Sequence, residues 1–200
     1  CVAGLILEET SKDKIKIETK AGILEAWKDT KSGFISVNMG KPNFQWNEIP
    51  LLKNIDHKKV FLGDNAPGDA FCLSMGNPHA VFFVRSLAEI DVDVLGPIFE
   101  NHSIFPEKAN ISFAQVLSKS KIKMKVWERG VGITKACGSG ACAVAVAAKQ
   151  LSKIGSFCEV SLDGGKLNVH LPDNDNIYLT GPIEISFRGE LSQRLSNLIK

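Results

Sequence analysis

Residues 127–148 read WERGVGITKACGSGACAVAVAA. An alternating, extended segment ends here, the chain turns through Gly130, Gly132, Gly138 and Gly140, and a block of small residues follows. Alanine favours helix, and glycine favours a helix end. The stretch predicts a helix that begins between Cys137 and Gly140, runs through Ala141 to Lys153, and is ended by Gly155. With small residues on every side, such a helix suits nearly complete burial inside a sheet.

The helix start is also where a thiol can be given chemistry. The first N–H groups of a helix lack intrahelical acceptors and carry partial positive charge. Cys137 there is expected to be stabilised as thiolate, with a lowered pKa. The same N–H groups can hold a carboxylate, so Gly138 and Ser139 form a candidate anion cradle. An isolated cysteine is more often a small core hydrophobe. Cys72, Cys142 and Cys158 are read that way, while the CGSG setting sets Cys137 apart.

Upstream, KIKIET (14–19) and KIKMKVW (121–127) alternate strictly, as strands with one wet face do. Further strands are expected at 23–27, 34–38, 60–61, 70–75, 80–85, 111–117, 158–162, 166–171, 177–180 and 183–187. Turns are read at Ala21-Gly22 and at Gly76-Asn77-Pro78-His79, the latter interrupting an apolar strand. Cys1–Glu9 has helical spacing. Asp93 is read as the N-cap of a helix from Val94 to about His102, and Leu191–Ile199 as a terminal helix. Residues 41–50, with two prolines and several amides, read as a connection between domains. Many strands joined mostly by turns, with few helices, make an α+β protein with a largely antiparallel sheet.

Composition narrows the function classes. The 200 residues are 44% hydrophobic and 23% charged, with a net charge of +2 and no long basic block. Nucleic-acid and anionic-membrane binding gain no support. No apolar run reaches the roughly 18 residues of a membrane span. The five cysteines form no CxxC pair and no metal-like spacing. A cytoplasmic protein with reduced thiols is expected. The chain starts at Cys1, without methionine and within an apolar segment, which is expected of a piece of a longer protein. Taken singly, Glu128-Arg129 reads as a solvated pair, Asn77 and Asn110 as turn formers, and His79 as a satisfied histidine.

Taken together, four segments resemble diaminopimelate epimerase: MGNPH (75–79), PEKAN (106–110), ERGVG (128–132) and ACGSGACA (136–143). Their order and spacing are similar to that family across nearly the whole chain. The resemblance implies interconversion of LL- and meso-diaminopimelate without cofactor or metal, in lysine and cell-wall precursor biosynthesis, by two opposed acid–base cysteines. It implies that Cys137 is one of them, with His79 and Glu128 assisting. Asn77, Asn110 and Arg129 would hold the far end of the substrate, and backbone groups at Gly138 and Ser139 the reacting carboxylate. It further implies two similar domains, each a sheet around a central helix, and a homodimer. Residues 1–40 would be the remainder of the first domain, 41–186 the second, and 187–200 a segment returning to the first. In the family the other cysteine lies in a Cys-Gly-Asn-Gly segment followed shortly by Arg-Cys, and Cys1-Val2-Ala3 matches only the latter. The chain alone is therefore expected to carry half an active site and to be inactive. The alternatives are another isomerase on the same scaffold, proline racemase-like or of the phenazine pathway, and a fragment that does no chemistry.

Overall fold

The computed structural model describes residues 2–19, 22–185, 189–190 and 192–193. Cys1, the turn residue Ala21, most of the expected terminal helix and residues 186–187 of the last expected strand lie outside them. The chain opens with α1 (Val2–Thr10) and a meander of β1 (Lys14–Thr19), β2 (Gly22–Lys28) and β3 (Ile35–Asn38). There follow β4 (Phe71–Ser74), β5 (Pro78–Phe83), α2 (Val92–Glu100), β6 (Asn110–Ser118), β7 (Lys121–Glu128) and the short β8 (Gly132–Ile133). The central helix α3 (Gly138–Gln150), then β9 (Phe157–Leu162), β10 (Gly165–His170) and β11 (Tyr178–Gly181) complete the order. A single 11-stranded sheet runs β1-β2-β3-β11-β10-β9-β7-β6-β5-β4, with β8 beside β7. The fold is α+β, and the sheet is antiparallel except at β5·β6 and β7·β9.

Alternation explains the strands. In β7 the side chains of Ile122, Met124 and Val126 are buried, while Lys121 and Lys123 on the alternate positions are exposed. The curled sheet packs against α3 through β4, β5, β6, β7, β9 and β10. Every residue from Gly140 to Ala148 is buried, as the all-round small composition requires. Phe71, Leu73, Val81, Ala114 and Met124 point at this helix, and together with it form the main core. The opposite face of β4–β6 carries Cys72, Ala80, Phe82 and Phe113, which pack on α2 through Phe99. Phe82 stacks on Phe113 with centroids 5.4 Å apart. A third, smaller core lies between α1 and β1–β3, around Leu7, Ile15, Ala26 and Ile35.

Several boundaries differ from the sequence reading. The cap of α2 is Asp91, whose carboxylate accepts from the Val94 amide, so the helix starts two residues before Val94. Asp93 falls inside its first turn, where a carboxylate still suits the helix dipole. Helix α3 ends at Gln150, and Gly155 takes no part. Ser152 adopts φ +55, the Ser152 amide donates to Lys149 O, and the Lys153 amide donates to Ala148 O. That is a Schellman ending with serine in the left-handed position usually given to glycine. Pro78 and His79 belong to β5, not to a turn before it, because proline at a strand start loses no needed N–H. Val60 makes only an isolated bridge to Ala70, and residues 182–185 form no strand.

One packing contact bears on the site. A Cβ built on Gly96 would lie 2.6–2.8 Å from three Trp127 atoms, so α2 approaches β7 only because residue 96 is glycine. Gly96→Ala returns about 1 kcal/mol of helix propensity. It costs up to about 3 kcal/mol in overpacking. A net loss of about 1–2 kcal/mol is expected, read as a lower urea midpoint at unchanged slope.

Candidate active site

The four segments meet at one end of the sheet, around the start of α3. β5 and β6 run parallel and begin there, with His79 opposite Asn110 in the register. β7 runs the other way and ends there, with Trp127 opposite Ile111. Cys137, in extended conformation (φ −144°, ψ 107°), is the N-cap residue of α3, though its side chain makes no capping bond. Its Sγ lies 3.7 Å from Ser139 Oγ. A Cβ on Gly140 would sit 3.2 Å from the same sulfur, so glycine leaves room for the thiol.

A hydrogen-bonded line runs from this thiol into the sheet. Asn77 Nδ2 donates to Ser139 Oγ over a long 3.5 Å, and Asn77 Oδ1 lies 2.9 Å from His79 Nε2. A carbonyl oxygen can only accept, so Nε2 carries the proton and Nδ1 holds the lone pair. His79 is fully buried, and its Nδ1 has no partner among the described residues. Burial first, and the Arg129 charge second, pull its pKa down to about 3. His79 is therefore a neutral imidazole that orients Asn77, not a charged one.

Glu128 ends β7, and Arg129 opens the turn that follows it. The Thr134 hydroxyl donates to Glu128 Oε1. Arg129 Nη1 donates to Glu107 O at 3.1 Å, and the Arg129 amide to Asn110 Oδ1 at 3.0 Å. Asn110 is buried, and its Nδ2 donates to Pro78 O at 2.9 Å. Its amide thus ties β5 to the Arg129 turn, with both polar atoms engaged inside the chain.

The expected low pKa of Cys137 is not what the structure produces. Burial pushes the thiol up to about 11; the Gly140 N–H pulls it down, and the Glu128 carboxylate beside it pushes it up again. Cys137 is only 5% exposed, so desolvation of the anion outweighs the helix start. The residue is a protonated thiol at neutral pH. Burial raises the Cys72, Cys142 and Cys158 thiols as well, and these sit within the cores as read.

Beside the site a cavity of about 230 Å³ is lined by Asn47, Glu48, Gly76, Asn77, Glu107 and Arg129 among others. Larger cavities of about 400, 460 and 610 Å³ lie by the start of α2, the far end of α3, and α1. Volume does not locate the chemistry here: Asn77 and Arg129 of the four segments line the smallest of these four cavities, not the larger ones. Asn47 and Glu48 belong to the segment read as a mere connection, whose amide content was their only signal. Thr134 and Glu100, described below, had none. Among the described residues no cluster of three or more His, Cys, Asp or Glu could hold a metal ion, and no helix is long and apolar enough to cross a membrane.

Residues 71–186 match the family model described as diaminopimelate epimerase. A diaminopimelate epimerase of Rhodospirillum centenum is 42% identical over 195 residues, covering 98% of this chain and 67% of the relative. The chain belongs to the diaminopimelate epimerase family. It is therefore an isomerase by descent. The Brucella canis diaminopimelate epimerase is 44% identical over 197 residues, covering 94% of this chain and 64% of that one. The chain thus spans about two thirds of the length of these members of the family. Among solved structures, a probable proline racemase from Agrobacterium radiobacter superposes with a TM-score of 0.65 at 15% identity, covering 96% of this chain and 66% of that one. A hydroxyproline epimerase from Agrobacterium vitis gives 0.63 at 15% identity, covering 91% and 62%. A predicted epimerase from Pseudomonas aeruginosa gives 0.59 at 14% identity, covering 95% and 71%. At such identities these likenesses establish the fold.

Proposed function

We propose that this chain supplies one half of the active site of a cytoplasmic, cofactor-independent epimerase that interconverts LL- and meso-diaminopimelate in lysine and cell-wall precursor biosynthesis. The observation that carries the reading is the buried Cys137 thiol at the start of α3, with Ser139, Asn77 and Glu128 converging on it. Residues 41–186 form the domain that bears this site, and residues 1–40 and 187–200 belong to the other domain. The second thiol belongs to the part of the relatives' length that the chain does not cover. A homodimer is the proposed assembly.

The geometry supports a one-proton exchange across the α-carbon. The opposing thiolate removes the α-proton: the C–H bond breaks, an S–H bond forms, and the electron pair delocalises into the carboxylate. Cys137 then gives its proton to the other face, which forms the new C–H bond and leaves Cys137 as thiolate. A protonated Cys137 is the form this step needs. The reverse direction starts from the other distribution of the single proton, with the Gly140 N–H helping to hold the Cys137 thiolate. The carbanion needs donors placed before charge develops, and the free N–H groups of Gly138 and Ser139 at the helix start meet that need. Arg129 and Asn77 line the cavity where the non-reacting end would sit, and a guanidinium grips a carboxylate bidentately. Asn110 acts through Arg129, whose backbone it holds.

A direct test assays the complete protein with diaminopimelate and with proline. Turnover of diaminopimelate alone is expected, because Arg129 and Asn77 require a second charged end. Turnover of proline instead would replace this reading with that of a proline racemase-like isomerase. The 200-residue chain by itself is expected to show no epimerisation. Among the described cysteines, Cys72, Cys142 and Cys158 are fully buried in the cores, so no second thiol faces Cys137.

A further inference from the structure

Glu100 ends α2 and is 5% exposed, yet it carries a carboxylate. A negative charge at a helix C-terminus opposes the helix dipole. Among the described residues no salt bridge reaches it. What it does have is two N–H donors. Trp127 Nε1 donates to Oε2 at 2.7 Å, and the Gly130 amide donates to Oε1 at 2.8 Å. Hydrogen bonds to a buried carboxylate are among the stronger ones, and here both oxygens are used.

Those donors bracket Glu128 and Arg129. The Val131 amide donates to Glu128 O at 3.0 Å, closing a turn in which Gly130 takes φ +74°. A positive φ at the third position marks a type II turn, whose central amide points outward with no partner inside the turn. Glu100 takes that amide. Asn110 takes the preceding one, from Arg129. Thr134 holds the Glu128 carboxylate.

We propose that Glu100 is a positioning residue for the site: its buried carboxylate clamps the turn that presents Glu128 to Cys137 and Arg129 to the substrate cavity. Its consequence for diaminopimelate rests on the function proposed above; the clamp itself does not. An apolar side chain would fill the same space, but only an acceptor on both oxygens satisfies the indole and the Gly130 amide together.

The thiol reports the clamp without any substrate, because the Glu128 carboxylate disfavours the Cys137 thiolate. The experiment follows iodoacetamide alkylation of Cys137 against pH by peptide mass spectrometry. Glu128→Gln is expected to lower the Cys137 midpoint by on the order of one pH unit. Glu100→Ala is expected to lower it comparably, and the double variant no further, since both act through one carboxylate. A wild-type midpoint in Glu100→Ala, or additive shifts, overturns the proposal. Where Glu100→Ala does not fold, Glu100→Gln and Glu100→Gln with Trp127→Phe decide. The Gln amide sets an NH₂ against one of two donors, and Trp127→Phe removes one donor. The single variant is therefore expected to be shifted and the double to return towards wild type; equal midpoints in the two overturn the clamp. An inactive protein with these shifts leaves the clamp standing, whereas an active protein without them refutes the clamp alone.

Discussion

Cys137→Ala in the complete protein lowers kcat for diaminopimelate epimerisation by at least about 10³-fold, within the range general acid–base groups contribute. In the proposed mechanism the Cys137 thiol delivers the proton to one face of the α-carbon, and the neighbouring Ser139 hydroxyl is far too weak an acid–base group to replace it. KM is expected to change little, because the proposed reading assigns the charged ends of the substrate to Arg129, Asn77 and the helix-start amides. A fall in kcat at constant KM is the signature of a group that acts in the transition state. Wild-type-like turnover by the variant would remove Cys137 from the mechanism and leave the CGSG turn as a binding element. Circular dichroism and urea midpoints must match wild type for the comparison to hold. The side chain lost is small, and the backbone at 137 is extended, as any residue can be.

The second large effect concerns acid stability. In the folded chain His79 titrates near 3, against the ordinary value of 6.5 once unfolded. Between those values the unfolded state binds a proton that the folded state refuses. Stability is therefore fully present above pH 6.5 and is lost as pH falls towards 3. The loss amounts to about 2 kcal/mol by pH 5 and about 5 kcal/mol at the bottom of the window. Carboxylates titrate in the same range, so the measurement is the difference between wild type and His79→Gln in urea unfolding at pH 7.5, 6 and 5. The variant is expected to be less stable at pH 7.5, having lost the imidazole's packing. It should gain on wild type by about 2 kcal/mol between pH 7.5 and pH 5. Parallel curves would show that His79 is not held neutral by burial.

Much of this architecture was legible in the residues. Strict alternation in KIKIET and KIKMKVW placed β1 and β7, because one face of each meets a core and the other meets water. AVAVAA foretold a helix buried all round, and the helix start put Cys137 among donors. Local rules failed where two candidates compete or where a long-range partner decides. Asp91 and Asp93 are equally good caps by type; the register of Val92 and Phe99 against the sheet selects Asp91. Ser152 takes a left-handed conformation because the last turn of α3 closes on Lys153, and Gly155 lies too far along to serve. The pKa of Cys137 ran opposite to expectation for a similar reason. A sequence shows that a thiol stands at a helix N-terminus but not how deeply the sheet covers it, and burial is the larger effect. Glu100 left no trace because its donors come from residues 27 and 30 positions further on.

The site also shows why the motif residues divide into two kinds. Cys137 and Ser139 place their polar atoms at the start of α3, and Arg129 lines the cavity beside it. His79 and Asn110 spend theirs on Asn77, Pro78 and the Arg129 backbone, and so hold the first group in place. A list of motif residues does not separate the two, since separation depends on which atoms are already engaged.

Solvent deuterium entry at the α-carbon tests the proposed role of Cys137 most directly. The complete protein is incubated with LL-diaminopimelate in D₂O, without added cofactor, and followed by proton NMR. Loss of the α-proton signal is expected, with deuterium appearing in the meso product, and no deuterated meso product is expected from Cys137→Ala. Epimerisation without solvent deuterium in the product, or deuterated meso product formed by Cys137→Ala, would contradict the proposed role of Cys137.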